Sequence, residues 1–201
     1  KIGEVVVVGG VRRSAMISLS NLSDDRMRHA KSGDWFVLDP QRALSNNSVA
    51  YTEKPDMETF LREWTALVES KSGERGIFSR VAAKKQVAKN GRRDPDYEWG
   101  TNPCSEILLR PNEFCNLTEV VVRNDDDLDT LTNKTRLATI LGTIQATYTK
   151  FPYLRKIWQR NTEEERLLGV SLTGIMDHSV LSKNVDSKVW LENMRDTAVN
   201  T

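Results

Sequence analysis

The sequence has little of several features that mark particular classes of protein. Two cysteines among 201 residues are too few for a secreted scaffold built on disulfides. No apolar run approaches the roughly 20 residues that a membrane-spanning helix needs. A formal net charge of +1 argues against general binding of DNA or of an anionic membrane surface. These shortages predict a protein of a reducing, cytoplasmic compartment that binds neither DNA nor membrane.

The composition is that of a globular protein. Hydrophobic residues make up 38% of the chain and charged residues 28%, which is enough apolar material for a core. A length of 201 residues suits one large domain or a piece of a larger one. The chain does not begin with methionine, and both of its ends fall in segments with an ordered pattern. We therefore expect residues 1–201 to be a single fragment from inside a longer polypeptide.

Patterns typical of strands and of helices alternate along the chain. Apolar runs or period-two alternation predict strands, and apolar residues at helical spacing predict helices. The predicted strands are 4–8, 13–20, 47–52, 117–123 and 167–174. The predicted helices are 24–33, 57–68, 77–90, a long helix that begins after the capping run 124–127, and 187–198. This alternation indicates an α/β fold with a largely parallel sheet or barrel.

The long helix after residue 127 carries one apolar stripe, as amphipathic helices do. Its members lie three or four positions apart and are Leu137, Ile140, Leu141, Ile144 and Tyr148.

Both cysteines fall in one short segment, "NPCSEILLRPNEFC" (102–115). Three interpretations are open for the two thiols: buried core residues, a redox-active or nucleophilic pair, and metal ligands. A structural zinc site needs four ligands, and His29 and His178 lie far away in the sequence, so we predict no metal site. A structural disulfide is disfavoured in a reducing compartment.

The residues around Cys104 favour a functional site. Pro103 disfavours the helical region for Asn102, which predicts an extended loop with Cys104 at its tip. Residues two apart in an extended chain point the same way, so Asn102, Cys104 and Glu106 are expected on one side. A neighbouring carboxylate disfavours a thiolate, which is unsuitable for a thiolate nucleophile. The arrangement suits a thiol that exchanges hydrogen atoms while Glu106 acts as a general base.

These residues resemble the ribonucleotide reductases, whose finger loop carries an Asn-x-Cys-x-Glu motif that "NPCSEI" (102–107) matches. Five further strings resemble segments of the class II, adenosylcobalamin-dependent branch, in the same order. They are "GGVRRSAMISL" (9–19), "SNNSVA" (45–50), "GIFSRVAAKK" (76–85), "FCNLTEVVVR" (114–123) and "LLGVSLTGIMD" (167–177). The resemblance spans nearly the whole chain. The short gap between the cysteines also resembles class II more than the class with a separate radical-generating subunit.

The resemblance implies a fold and an activity. Residues 1–201 are expected to form part of the ten-stranded α/β barrel of ribonucleotide reductases, with a central finger loop at about 99–115 that carries the catalytic cysteine. The expected reaction is reduction of ribonucleotides, with triphosphates favoured over diphosphates, to 2′-deoxyribonucleotides for DNA synthesis. Adenosylcobalamin is the implied cofactor. The implied partners are nucleotide effectors, a thioredoxin-type reductant and the remainder of the polypeptide.

The resemblance also implies a role for four residues. Cys104 matches the cysteine that becomes a transient thiyl radical and takes the 3′ hydrogen atom of the ribose. Glu106 matches the base that accepts the 3′-hydroxyl proton, and Asn102 matches the amide that binds the substrate hydroxyls. Cys115 matches one of two cysteines that reduce the 2′ position and end as a disulfide.

Parts of the family pattern are missing from these 201 residues. The second reducing cysteine, a C-terminal cysteine pair and a phosphate-binding loop are not found, so we expect the piece to be inactive alone. Two alternatives stay open. One is the large subunit of a class I-type reductase that uses a diiron partner, and the other is a non-catalytic α/β module whose thiols are core residues.

Overall fold

The structure, a computed structural model, describes residue 10, residues 15–183 and residues 186–201. The chain divides into two compact units, Lys1–Pro111 and Asn112–Thr201. The predicted strand at 4–8 lies outside the described residues, as does the start of the predicted strand 13–20. In the part of the chain that is described, no helix is long and apolar enough to cross a membrane.

The first unit is built on a three-stranded parallel sheet. Its strands are β1 (Ile17–Ser20), β2 (Asn46–Tyr51) and β3 (Gly76–Ser79), in that spatial order. Parallel neighbours need crossover connections. The crossovers are α1 (Asp25–Arg28), α2 (Trp35–Leu38) and a 3₁₀ turn (Pro40–Leu44) before β2, and α3 (Met57–Ser70) before β3. The parallel pairing agrees with the α/β fold expected from the sequence.

Helix α3 begins where the sequence predicts. The side chain of Asp56 accepts a hydrogen bond from the backbone N–H of Thr59 at 2.8 Å, which satisfies one of the unpaired N–H groups of the first turn. The helix runs two residues beyond the predicted end at Val68 and stops at Lys71, whose φ of 54° is left-handed. The predicted helix 24–33 is shortened to α1, and α2 follows two residues after its predicted end.

The predicted helix at 77–90 is wrong at its start, because its first residues belong to β3. Phe78 is buried in the core and pairs with Ala50 of β2. Helix α4 (Arg80–Ala88) follows directly. Ser79 separates the two elements, since its Oγ accepts from the N–H of Ala82 at 3.2 Å and caps the helix.

A small hairpin completes the first unit. Strands β4 (Gly100–Thr101) and β5 (Leu108–Leu109) pair antiparallel. The indole of Trp99, just before β4, is fully buried and belongs to the core of this unit. That core otherwise consists of Ala50, Phe78, Ala83 and Val87, with Leu19 and Leu108 packed against it. The hairpin is therefore fixed to the sheet at its base.

The second unit is built on two long parallel strands. Strands β6 (Cys115–Val121) and β7 (Leu167–Thr173) pair along their whole length, with Cys115 opposite Leu167. The helices are α5 (Leu128–Ala146), α6 (Lys156–Glu165) and α7 (Ser187–Asn200), and a 3₁₀ turn (Ile175–Asp177) follows β7. The sequence analysis predicted all of these except α6 and the 3₁₀ turn. The core contains Val120, Val122, Leu131, Ala138, Leu181 and Met194.

The apolar stripe predicted on α5 is not the face that packs on the sheet. Leu137 is 50% exposed and Tyr148 is 72% exposed, and Leu141 and Ile144 are exposed as well. The buried face carries mostly small residues, namely Leu131, Thr135, Ala138, Thr139, Gly142 and Ala146. A Cβ at Gly142 would meet Leu168 Cδ1 at 2.2 Å, so the helix backbone lies close to β7. Close approach selects small residues here and leaves the large apolar ones outside.

Candidate functional site

The segment that carries Cys104 is the loop between β4 and β5, and it forms a tight turn. The N–H of Ser105 donates to the carbonyl of Asn102 at 3.0 Å, which closes a four-residue β-turn. Pro103 holds the second position, where its fixed φ is favourable. Cys104 is exposed in this turn, as the tip position predicted from the sequence requires.

The turn corrects one expectation about the geometry of the loop. Residues 102–106 are not an extended segment, so the alternation that put Asn102, Cys104 and Glu106 on one side does not apply. Proline removed the helical conformation, as argued, but it favoured a turn over a strand. The relative positions of the three side chains are therefore set by the conformation of the turn.

Inside the turn, the oxygen of the Asn102 side-chain amide takes part in an internal hydrogen bond. Its Oδ1 accepts a hydrogen bond from the N–H of Ile107 at 3.1 Å, across the mouth of the loop. This bond orients the amide, because the oxygen faces the backbone and the Nδ2 group is left to donate. Asn102 can thus hold the loop in shape and offer a hydrogen-bond donor to a bound hydroxyl.

Asn46 fastens the turn to the sheet, and the sequence analysis did not single it out. Its Nδ2 donates to the carbonyl of Pro103 at 2.9 Å. Its own N–H donates to the carbonyl of Met16, so the residue opens β2 while it holds the turn. The string "SNNSVA" contains it, but nothing local in that string indicates a partner 57 positions away.

A second attachment lies at the base of the hairpin. The guanidinium of Arg93 lies over the ring of Trp99, with its Cζ 4.3 Å from the ring centroid. The same guanidinium donates through Nη1 to the carbonyl of Leu108 at 3.0 Å. Arg93 thereby ties the residue before β4 to the first residue of β5. These two contacts of Arg93 hold together the two strands that carry the exposed turn.

The exposures of the two cysteines differ. Cys104 and Glu106 are exposed, so a core role for the Cys104 thiol does not hold. Cys115 is half-buried and is the first residue of β6, as expected for a residue that opens the next strand. Both side chains carry thiols in this structure. Among the described residues, no group of three or more His, Cys, Asp or Glu side chains is placed to hold a metal ion.

Comparison with known proteins gives these residues a context. No protein-family model matches the chain. The chain is similar to the adenosylcobalamin-dependent ribonucleoside-triphosphate reductase of Lacticaseibacillus paracasei, with 36% identity over 186 residues. Proteins of the same name from Lactobacillus acidophilus and Levilactobacillus brevis are 34% and 32% identical to it over 192 and 185 residues.

The chain is a homologue of one part of these reductases. Each alignment covers 88% of the chain, and the chain spans 23% of the length of the curated relatives that it matches. The resemblance found around the cysteine segment is thereby confirmed. The relatives are named as reductases that depend on adenosylcobalamin and act on ribonucleoside triphosphates.

Proposed function

We propose that the chain is part of the catalytic α/β barrel of an adenosylcobalamin-dependent ribonucleotide reductase, with residues 99–115 as its finger loop. One observation carries the proposal. The Asn-x-Cys-x-Glu segment of a chain homologous to such reductases forms an exposed turn with the thiol of Cys104 at its tip. The proposed reaction reduces ribonucleotides, chiefly triphosphates, to deoxyribonucleotides for DNA synthesis.

Cys104 is proposed to carry the radical. Adenosylcobalamin, when bound, supplies the one-electron chemistry that removes a hydrogen atom from a thiol. The chain fits that chemistry because Cys104 presents an exposed thiol on a turn held at both ends. The sulfur radical then takes the 3′ hydrogen atom of the ribose. The S–H bond re-forms as the C–H bond breaks, and no charge develops on sulfur.

Glu106 and Asn102 are proposed to act on the hydroxyl groups of the substrate. The exposed carboxylate of Glu106 accepts the 3′-hydroxyl proton, as a general base. Asn102 donates through Nδ2, since its Oδ1 is held by Ile107 inside the loop. With the 3′ proton on Glu106, the 2′-hydroxyl group takes a proton from one of the two reducing thiols and leaves as water.

Cys115 is proposed to supply one of the two thiols that reduce the 2′ position. Two thiols lose two electrons and two protons as they form a disulfide. The 201 residues contain only Cys104 and Cys115, so the second reducing thiol must come from elsewhere in the polypeptide. We therefore expect the chain alone to be inactive. The coverage of 23% of the relatives' length supports the remainder of the polypeptide as its necessary partner.

The remaining partners are proposed from the same homology. They are a ribonucleotide substrate, nucleotide effectors and a thioredoxin-type reductant that restores the thiols. A cytoplasmic location suits free thiols that must cycle between reduced and oxidised states.

The test uses the full polypeptide that contains this chain, assayed for deoxynucleotide with adenosylcobalamin and a dithiol reductant. Cys104→Ser should abolish product, because an O–H bond is too strong for the oxygen to carry the radical. Glu106→Gln should slow turnover by about 100- to 10,000-fold. Asn102→Ala should cost less, about 0.5–1.5 kcal/mol. Ser105→Ala, between the two catalytic positions, is the matched control and should leave turnover nearly unchanged.

Cys115→Ser separates radical formation from reduction. This variant should still cleave the cobalt–carbon bond of the cofactor while making no deoxynucleotide. If Cys104→Ser still made product, the radical assignment would be wrong. If product formed only with a diiron subunit and without adenosylcobalamin, the class I-type alternative would replace the proposal.

A further inference from the structure

A cavity beside α4, in the first unit and apart from the Cys104 turn, has the properties of a nucleotide site. We propose that it binds a ribonucleoside triphosphate, with the phosphates on α4 and the base against Tyr97. The choice of ribonucleoside triphosphate among phosphorylated aromatic ligands rests on the proposed function. The cavity itself follows from the structure alone. Its volume is 440 Å³, within the usual range of about 300–1,000 Å³ for small-molecule sites.

The position of the cavity in the sheet favours a ligand. Thr52, which lines it, directly follows β2, and Arg80, which also lines it, directly follows β3. The cavity thus lies at the carboxyl ends of two parallel neighbours, where α/β sheets bind their ligands. Helix α4 starts at this point and is nine residues long. Its N-terminal end therefore adds a positive potential to the cavity.

The charges on α4 are arranged for an anion. Arg80 and Lys84 are four residues apart, and Lys85 lies next to them on the helix, so all three line the cavity. Arg80 Nη1 is paired with Glu98 at 2.5 Å, while its buried Nε has no hydrogen-bond partner among the described residues. Within residues 15–183, neither Lys84 nor Lys85 is paired with a carboxylate. The carboxylates of Asp96 and Glu98 line the cavity as well, and Glu98 pairs with Arg80, so Lys84 and Lys85 are the cations that remain to bind phosphate oxygens.

Two further residues that line the cavity, Tyr97 and Trp99, are aromatic. The rings of Tyr97 and Trp99 lie edge to face, with centroids 6.2 Å apart and planes at 88°. Trp99 is fully buried, whereas Tyr97 is 38% exposed. The guanidinium of Arg110 lies over the Tyr97 ring, 5.0 Å from its centroid, which holds the ring in place. A fixed and partly exposed ring in the same cavity as the cationic residues of α4 suits a planar base joined to phosphates.

The experiment is calorimetric titration of the full polypeptide that contains this chain with each of the four ribonucleoside triphosphates, inorganic tripolyphosphate and adenosine, and every variant below is made in that polypeptide. We expect saturable binding of at least one ribonucleoside triphosphate, with a Kd of about 1 mM or tighter. The double variant Lys84→Gln/Lys85→Gln should weaken binding by about tenfold or more. Lys89→Gln, at the other end of α4, is its matched control and should bind like the unmodified chain.

Tyr97→Leu distinguishes a nucleotide site from a simple anion site. It should weaken binding of the ribonucleoside triphosphate and leave tripolyphosphate unchanged, while Tyr153→Leu, at an exposed tyrosine elsewhere, should change neither. Absence of saturable binding, or binding that the double variant leaves intact, would overturn the proposal. Equal loss of both probes' affinity in Tyr97→Leu, or no loss in either, would overturn the assignment of a nucleotide.

The outcome is separable from that of the proposed function. Cys104→Ser should bind the ribonucleoside triphosphate at this cavity as tightly as the unmodified chain does. Binding that persists while the full polypeptide makes no deoxynucleotide would overturn the radical chemistry and leave the cavity assignment standing.

Discussion

The interiors of the two units are built from different kinds of side chain. In the first unit, a carboxylate and two guanidinium groups are buried together, at Glu63, Arg28 and Arg75. In the second, the hydrophobic core is an apolar cluster, and the buried polar side chains include the imidazole of His178. Apolar burial stabilises by area and tolerates rearrangement, whereas a buried ion cluster stabilises only when every member is present. The first unit should therefore be the more sensitive to single polar substitutions.

The ion cluster joins the crossovers of the first unit to its sheet. Glu63 on α3 accepts from Arg28 Nε at 2.6 Å and from Arg75 Nη2 at 2.9 Å. Arg75, just before β3, also donates to the hydroxyl of Ser20 at the end of β1. Burial alone would raise the pKa of the Glu63 carboxyl, but the hydrogen bonds from Arg75 and Arg28 outweigh it and lower that pKa.

The buried imidazole of the second unit forms its hydrogen bonds with backbone groups. His178 Nδ1 accepts from the N–H groups of Val180 and Leu181 at 3.2 and 3.1 Å. Nδ1 is therefore the acceptor, and Nε2 carries the proton that it donates to the carbonyl of Asp126 at 2.9 Å. The hydrogen bonds that satisfy this buried imidazole thus all go to backbone groups.

The largest expected effect comes from breaking the ion cluster. Glu63→Gln leaves the buried guanidinium of Arg75 without a countercharge and that of Arg28 with only the exposed Asp25, so we expect a loss of about 3–5 kcal/mol in the free energy of unfolding. Urea unfolding followed by tryptophan fluorescence measures it. Glu58→Gln, on the same helix and 88% exposed in its side chain, is the matched control and should cost no more than about 1 kcal/mol.

Replacing all three charged residues of the cluster tests whether the loss in Glu63→Gln comes from uncompensated buried charge. The triple variant Arg28→Met/Glu63→Leu/Arg75→Met should recover most of the stability that Glu63→Gln loses, because no buried charge remains uncompensated. A triple variant less stable than Glu63→Gln would show that the cluster contributes more than mutual compensation.

In the second unit, the corresponding change is a cavity in the apolar core. Leu131→Ala removes a fully buried side chain and should cost about 2–5 kcal/mol, through lost burial and the cavity left behind. Leu137→Ala, on the exposed face of the same helix, should cost far less, since Leu137 is half exposed. Equal losses in thermal or urea unfolding would mean that the exposed stripe of α5 is covered in solution.

A smaller effect is expected at glycines with left-handed backbone. Gly174 has φ of 78°, and a Cβ there would lie 2.4 Å from the carbonyl oxygen of Val122. Gly174→Ala should therefore cost about 2–3 kcal/mol. Gly73 has φ of 73° with open space around it, so Gly73→Ala should cost only the backbone strain, about 1 kcal/mol. The two variants should be ranked by urea midpoint, and the reverse order would contradict the close contact.

The smallest expected effect is the dependence of the free energy of unfolding on pH in the acid range. Glu63 has a lowered pKa in the folded state, so its contribution is present above the ordinary carboxyl pKa of about 4.3 and is lost as pH falls through the folded value. Burial would raise the pKa of Asp126 in the second unit, but the hydrogen bond from Lys134 lowers it overall. The free energy of unfolding should therefore fall below about pH 4. Glu63→Gln and Asp126→Asn should each make that fall shallower, and an unchanged slope in both would contradict the assignment.

Much of the architecture could be predicted from local patterns. The start of α3 at Asp56, the bounds of β7 and the start of α7 follow from capping and apolar periodicity. The division between β3 and α4 could not be read in this way, because "IFSRVAAKK" suits either element locally. Pairing with β2 decides it, and that contact is distant in sequence.

The candidate site was likewise predicted from the sequence in part, and its remaining features depend on tertiary contacts. Which residues carry the chemistry was determined by the sequence, because Asn102, Cys104 and Glu106 form a motif within five positions. The shape of the loop was decided by the tertiary structure, because Asn46 holds the carbonyl of Pro103 from a strand 57 positions earlier. The sequence likewise specified that α5 is an apolar helix, but not which face is buried. Which face is buried depends on how closely Gly142 approaches Leu168. The periodicity of apolar residues in the sequence gives no information about that distance.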